Sequence, residues 1–325
     1  MGAQHFGALK LEETFSFRTR PIPPFDFALT VKKPAGWRLF SSSEVYENDV
    51  LWSAAHIKGR LTGLRIKSFG TVERPRIATT VFAEEKLSGQ ERADFKRTLE
   101  ALLDVTGDIR EFYEFASDDS ILRHVVKDLY GMHDTQSASL FDSVVLSICL
   151  QMARLQRSNQ MMNSIDSRYG EVAEFDGRRL VAHPSAERIA KLDPEKLAKE
   201  CKLGYRAKYI VGSAKMIAEG FPDIHQIMSM PSDRAKQVLT ELPGIGDYAA
   251  DIINPHSGFP IDAWSVDVFS ALFFGKEPKN ARDAIERVKR EGIRRWGRWS
   301  WMAFFYVAQD LANLSKRLGV LLRLE

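Results

Sequence analysis

The spacing of apolar positions changes once along this chain, and that change divides it. Up to about residue 83 the pattern is that of strands. LKLEETFSFRTR alternates apolar and polar at Phe15 and Phe17, LTGLRIKSFGTV does so at Leu64, Ile66 and Val72, and RIATTVF is rich in β-branched residues. Pro21, Pro23 and Pro24 interrupt the first run and mark a loop before Phe25. From Ser88 the spacing lengthens to the helical period, and SGQERADFKRTLEALLDV and DDSILRHVVKDLYG read as amphipathic helices. The expected architecture is therefore α+β, with an N-terminal antiparallel β domain over residues 1–87 and a helical region over 88–325. No internal repeat or low-complexity segment interrupts it.

Within the helical region GMHDTQSAS is a polar connector. The next helix starts near Leu140, carries Phe141, Val144, Val145 and Ile148 on one face, and ends near Gln151 and Met152; ARLQRSNQMMNSIDSRYG starts another. Asp193 and Pro194 are a start signal, Asp as cap and Pro at the first helical position. Gly204 ends that helix and another begins near Arg206. SDRAKQVLTEL, with Ser232 as its cap after Pro231, is a short amphipathic helix through Ala235, Val238, Leu239 and Leu242. Pro243 and Gly244 stop it, and the helical pattern resumes after Gly246 through Tyr248, Ala249, Ile252 and Ile253. This is a helix-hairpin-helix.

Two glycines in such a turn permit positive φ and leave no side chain between backbone amides and an incoming anion. Amides at the start of the second helix, with its positive dipole end, suit one phosphate of a nucleic-acid backbone, a contact without sequence information. The alternative is an ordinary glycine-terminated helical turn. Downstream, beyond a loop with Gly258 and Pro260, Asp267 immediately precedes the apolar run VFSALFF. An Asp there is either a helix N-cap or a functional carboxylate.

Composition narrows the picture mainly by exclusion. A chain of 325 residues with 44% hydrophobic content supports two or three packed domains. The formal charge of +3 neither demands nor excludes nucleic acid, so local clusters must decide. No apolar run approaches the roughly 18 residues of a membrane span, and MGAQHFGALKLEE lacks a signal-peptide core. The expectation is a cytoplasmic or nucleoid-associated protein that does not contact membrane. Only Cys149 and Cys201 are present, which rules out a disulfide framework or a four-cysteine cluster within one chain. The histidines at 5, 56, 124, 133, 183, 225 and 256 show no zinc-like pairing. Near the C-terminus Arg294, Arg295 and Arg298 alternate with Trp296, Trp299 and Trp301, a mixture that holds a phosphate strand or a base, or else forms a packed helix beside a charged turn.

LPGIG, a second helix, a Gly/Pro-containing loop and VDVF together resemble the helix-hairpin-helix, Gly/Pro-rich loop and aspartate signature (HhH-GPD) of the base-excision DNA glycosylase superfamily. LGYRAKYIVGSAKMI over residues 203–217 resembles a helix of 8-oxoguanine glycosylases, and PPFDF over 23–27 resembles the opening of 3-methyladenine DNA glycosylase II. The resemblance implies a helical body of two lobes, with the hairpin and Asp267 lining the cleft. It assigns Leu242, Gly244, Ile245 and Gly246 to the DNA backbone, and Gln151 and Met152 to a wedge that fills the gap left by a flipped nucleotide, with a buried core Met as the alternative. Asp267 is the catalytic carboxylate and Asp262 a supporting group. Tyr248 stands where strand-nicking members carry a lysine that forms an imine with the sugar, and tyrosine cannot form one. The expected activity is monofunctional hydrolysis of the N-glycosidic bond of alkylated or deaminated purines in duplex DNA. The rivals are an 8-oxoguanine glycosylase and a non-catalytic DNA-binding protein. An aromatic pocket suits a cationic base, and Tyr248, Trp264, Phe269 and Trp301 are its candidates, each with a core role as alternative. No iron–sulfur cluster and no metal are expected, and the resemblance allows only a monovalent cation at the hairpin carbonyls. The partner is double-stranded DNA containing a damaged base, met by a monomer.

Overall fold

The structure, a computed structural model, describes residues 8–33, 43–153, 155–254, 258–262 and 265–319. It opens with β1 (Leu9–Lys10) and β2 (Glu12–Thr19), then a short helix α1 (Phe27–Lys32), then β3 (Glu44–Glu47), β4 (Val50–Ile57), β5 (Arg60–Ser68) and β6 (Ile77–Ala83). Strands β2 to β6 form one antiparallel sheet in the order β2-β6-β5-β4-β3. Its tight turns fall at Asn48-Asp49 and Lys58-Gly59, where both residues of each pair have positive φ, the mirror-image turn whose twist matches that of the strands.

The two faces of this sheet meet different partners. Leu51, Ile57, Leu64, Ile66 and Val81 pack on one side against α1 and against α2 (Gly89–Leu102), which contributes Phe95, Leu99 and Leu102. Helix α2 starts on a capping box, Ser88 accepting from the Glu91 amide and Glu91 accepting from the Ser88 amide. The change of period at Ser88 is therefore not a change of core: the first helix after the strands covers the sheet.

The other face carries a second sheet that the periodicity reading did not find. It is built from β7 (Glu171–Phe175) and β8 (Arg178–Ala182), a hairpin within the helical region, with β1 added parallel to β7. Phe175, Leu180 and Ala182 pack on Ala54 and Phe82. Gly63 of β5 has no Cβ because the Phe175 ring sits where one would be, 2.6 Å away. The helical region is thus not all-α, although the α+β class and the N-terminal antiparallel sheet are as expected.

The remaining helices form two lobes around two cores, as the resemblance implied. One core joins α3 (Arg110–Asp118) and α4 (Leu122–Asp128) to the C-terminal helices α13 (Ser265–Phe274), α14 (Ala281–Trp296), α15 (Ser300–Gln309) and α16 (Leu311–Leu318). The other is made by the intervening α5 (Leu140–Leu150), α6 (Leu155–Tyr169), α7 (Ala186–Ile189), α8 (Pro194–Glu200), α9 (Arg206–Ala218), α10 (Ile224–Met228), α11 (Ser232–Leu239) and α12 (Asp247–Ile253). Asp193 caps α8 as its sequence predicts, accepting from the Lys196 amide at 2.8 Å. At α11 the cap position is Pro231, and Ser232 is already the first helical residue, without a capping bond. Cys149 and Cys201 are both buried in the α5–α12 core, and desolvation pushes each thiol up to about 12. No helix among the described residues is long and apolar enough to cross a membrane.

Candidate nucleic-acid interface and base cavity

The hairpin between α11 and α12 is held from inside the α5–α12 lobe. Leu242 and Ile245 are 1% and 5% exposed, so their side chains belong to the core and only their backbone is available to a ligand. The Ile245 amide donates to Leu242 O at 3.1 Å and closes the turn. Gly244 has φ +81, and a Cβ there would lie 2.7 Å from Cβ and Cγ of Tyr209. Gly246, at φ −104, is the N-cap of α12 and faces open space. The two glycines thus do different things: Gly244 makes the turn, and Gly246 leaves its outer surface bare.

Two side chains reach the turn from neighbouring helices. Ser213 Oγ donates to Pro243 O at 3.0 Å, and Gln151 Nε2 donates to Gly244 O at 2.7 Å. Neutral carbonyl oxygens of this kind are the donor type that a monovalent cation takes, and each keeps a second lone pair. Among the described residues no three His, Cys, Asp or Glu side chains come together as a metal site. Below the turn, the carboxylate of Asp251 is 0% exposed and lies between Lys236 Nζ at 3.0 Å and Lys289 Nζ at 3.2 Å. It therefore fastens α12 to both α11 and α14. Burial works to lower the Lys236 pKa, but the hydrogen bond and charge of Asp251, with Asp247 beside it, outweigh that and hold it raised.

The wedge candidates stand at the end of α5, next to this turn. Arg206 covers the last carbonyls of α5, donating from Nε to Ile148 O at 3.2 Å and from Nη2 to Gln151 O at 2.5 Å. Met152 follows with φ +50 and a side chain 74% exposed. A buried core role for Met152 is therefore excluded. The side chain thus lies exposed at the surface, on a positive-φ backbone next to the hairpin.

Asp267 occupies the first turn of α13, half-buried, two residues inside the helix. Asp262 lies just before α13 and is bonded to its first residue: its Oδ1 accepts from the Ser265 amide and hydroxyl at 2.8 Å each. The first-turn position of Asp267 is at the positive end of the α13 helix dipole. Tyr248 extends from α12 to the same place. Burial, then the charge and hydrogen bond of Asp262, push its phenol well above the ordinary range, so it stays protonated.

Between the two helical lobes lies a cavity of about 110 Å³. Leu146 and Leu150 of α5 and Ile252 of α12 form one wall, Trp301 and Phe305 of α15 the other, and residues 134–137 of the connector close one end. Its volume is on the scale of the roughly 150 Å³ cavity that accepts a single benzene ring, so it has no room for a stacked pair of rings. Of the four aromatic candidates it brings in Trp301, whose Nε1 donates to Asp134 Oδ2 at 3.2 Å and whose ring stacks on Phe304. Phe269 is a correction: it is 1% exposed and packed among Phe259, Phe304 and Trp296, interior to the second core. Tyr248 points to Asp262, and Trp264 lies outside the described residues. The Arg/Trp stretch also proves structural for the most part. Arg294, Arg295 and Arg298 pair with Glu291, Asp119 and Glu111, and Trp296 is buried.

Residues 145–295 match the family model described as HhH-GPD superfamily base excision DNA repair protein. Over these residues, just under half of the chain, the protein carries an HhH-GPD region. The matched span contains the hairpin, Asp267 and the wedge candidates. The chain is 24% identical over 221 residues to DNA-3-methyladenine glycosylase of Bacillus subtilis, an alignment covering 66% of this chain and 72% of that protein. Its fold is similar to 3-methyladenine DNA glycosylase from Archaeoglobus fulgidus, with a TM-score of 0.74 at 24% identity over 94% of this chain and all of that one. It is also similar, with a TM-score of 0.69 at 18% identity over 95% of this chain and 98% of the other, to Clostridium acetobutylicum 8-oxoguanine glycosylase/lyase in complex with double-stranded DNA.

Two cavity residues of this protein escaped the sequence reading. Lys33, the C-cap of α1, and Asp134, in a connector read only as polar, both line the cavity. Neither belongs to a motif; a His-Asp pair in GMHDTQSAS was the only hint of chemistry there.

Proposed function

We propose that this protein is a monofunctional DNA glycosylase that removes damaged purines, alkylated or deaminated, from duplex DNA and leaves an abasic site. The reading rests on one observation above all: the position of the imine-forming lysine carries Tyr248, a phenol tied to Asp262, while Asp267 lies in the first turn of α13. A carboxylate paired with tyrosine at the imine-forming position supports hydrolysis over strand nicking.

Breaking the N-glycosidic bond builds positive charge on the sugar, and an ionised carboxylate near C1′ stabilises that charge and orients water. Gly246 presents the bare start of α12 to a backbone phosphate, Met152 replaces the stacking of the extruded nucleotide, and the cavity takes the base. Duplex DNA is the partner, bound by a monomer. An 8-oxoguanine glycosylase is the second reading, favoured by the amine that Lys33 brings to the cavity wall.

The test is single-turnover excision from end-labelled duplexes containing hypoxanthine, 3-methyladenine or 8-oxoguanine, analysed with and without alkali. Strand breaks should appear only after alkali, and Asp267→Asn should slow them by about 10³-fold, the scale of a lost transition-state charge partner. Breaks without alkali would sink the monofunctional assignment. A wild type that binds DNA and releases no base would leave only the binding protein.

A further inference from the structure

The wall of the cavity contains two charged side chains among the described residues, Lys33 and Asp134; the other polar residues lining it are neutral. Lys33 follows α1 with φ +47, and its amide donates to Leu29 O at 3.2 Å, so the backbone that carries it is anchored. The side chain is 13% exposed. Its ammonium donates to Thr135 O at 3.4 Å, stands 3.7 Å from Asp134 Oδ1 and 5.7 Å from the centre of the Phe305 ring. Asp134 meanwhile accepts from Trp301 Nε1 through its other oxygen. Trp301 and Lys33 thus share one carboxylate across the mouth of the cavity.

Three features bear on what enters. The ammonium carries three donors, and both of its polar contacts are long, so it can turn a hydrogen bond onto an oxygen in the cavity. Trp301 and Phe305 supply flat apolar faces for a purine ring. An ammonium in the wall opposes a second positive charge: at about 5 Å and an effective dielectric near 20 the bare repulsion is worth roughly 200- to 300-fold, and the Asp134 carboxylate 3.7 Å from the ammonium offsets much of it, leaving a discrimination on the order of 10-fold.

We propose that Lys33 is a specificity-determining residue that reads a carbonyl oxygen on the extruded base, so that the cavity selects neutral oxopurines, such as hypoxanthine or 8-oxoguanine, over cationic N-methylpurines. This rests on the glycosylase reading above and narrows its substrate class. Asp134 acts through its neighbours: it orients the Trp301 ring and keeps the lysine at the mouth. The aromatic faces that alone would welcome a cation are here overlaid by an ammonium.

The experiment compares single-turnover excision of hypoxanthine and 8-oxoguanine with release of 3-methyladenine from methylated DNA, for wild type, Lys33→Met, Lys33→Arg and Asp267→Asn. Lys33→Met, which keeps the length of the stem, should lower oxopurine excision by about 10- to 100-fold, the worth of one hydrogen bond from a charged donor. It should raise 3-methyladenine release by about 10-fold, and Lys33→Arg should restore the wild-type order. A merely structural lysine would depress both classes together, so an equal loss overturns the proposal, as does no change in either. Strand cleavage without alkali that is trapped by borohydride and vanishes in Lys33→Met would also overturn it, by making Lys33 a nucleophile. Excision that needs Asp267 but ignores Lys33 refutes this proposal alone; absence of excision on every duplex refutes the glycosylase reading with it.

Discussion

The two hairpin glycines should separate stability from DNA binding when each is replaced by alanine. Gly244 has φ +81, a region that costs an L-residue roughly 1–2 kcal/mol, and its new methyl would lie 2.7 Å from two carbon atoms of Tyr209. Tyr209 packs against the α5–α12 core, and overpacking of this kind costs about 1–3 kcal/mol. The sum for Gly244→Ala is on the order of 2–5 kcal/mol. At Gly246 the backbone is already in a region open to alanine, and nothing lies within 4 Å of a Cβ. There the entropy gained by restricting the unfolded chain, about 0.4–1 kcal/mol, is offset by a poorer N-cap, and stability should stay within about 1 kcal/mol of wild type. Yet the methyl would stand where a phosphate must approach the start of α12. Losing a hydrogen bond to a charged group is worth about 1.5–3 kcal/mol, or roughly 10- to 100-fold in affinity. Urea unfolding measures the first quantity, and fluorescence anisotropy on two duplexes of unrelated sequence measures the second. A Gly244→Ala protein as stable as wild type would refute the steric argument. Wild-type affinity in Gly246→Ala, or a loss confined to one of the duplexes, would refute the phosphate contact.

Two further perturbations test other parts of the structure. Met152→Ala removes a side chain that is 74% exposed, so the unfolding midpoint should hardly move, while excision of a paired lesion should slow more than that of a mispaired one; equal rates would remove the wedge assignment. Asp310 is raised to about 6 from 3.8, first by burial and then by the facing carboxylate of Asp128, whose other oxygen binds Arg317. Because the folded value lies above the unfolded one, the stabilising effect of its proton is complete below 3.8 and is lost as the pH rises through about 6. Asp310→Asn, always neutral, should therefore gain in Tm relative to wild type between about pH 4 and pH 7; an offset independent of pH would show that no proton is shared.

Local features were legible because their causes are local. The turn at residues 242–246 needs Gly244 for a left-handed backbone, and the amphipathic runs on either side state which residues are buried. The Asp193 cap and the Ser88 helix start were written in adjacent residues for the same reason. The hairpin of β7 and β8 was legible too, since Asp176-Gly177 is a strong two-residue turn signal between alternating segments, and it went unread beside longer helical patterns.

The sequence by itself determined the class of the fold and the helix-hairpin-helix, because spacing along the chain carries both of them. Tertiary structure decided what those elements serve. Phe269 has the same aromatic chemistry as Trp301, and only packing sends one into the core and the other to the cavity wall. Asp262 and Asp267 are alike on paper, and the fold places the first before α13, bonded to Ser265, and the second within the first turn of that helix. Asp119 meets Arg295, and Lys33 meets Asp134, across long stretches of chain. Periodicity tells which face of an element is buried but not what buries it, so a site assembled from two lobes and a connector exists only once they are packed together.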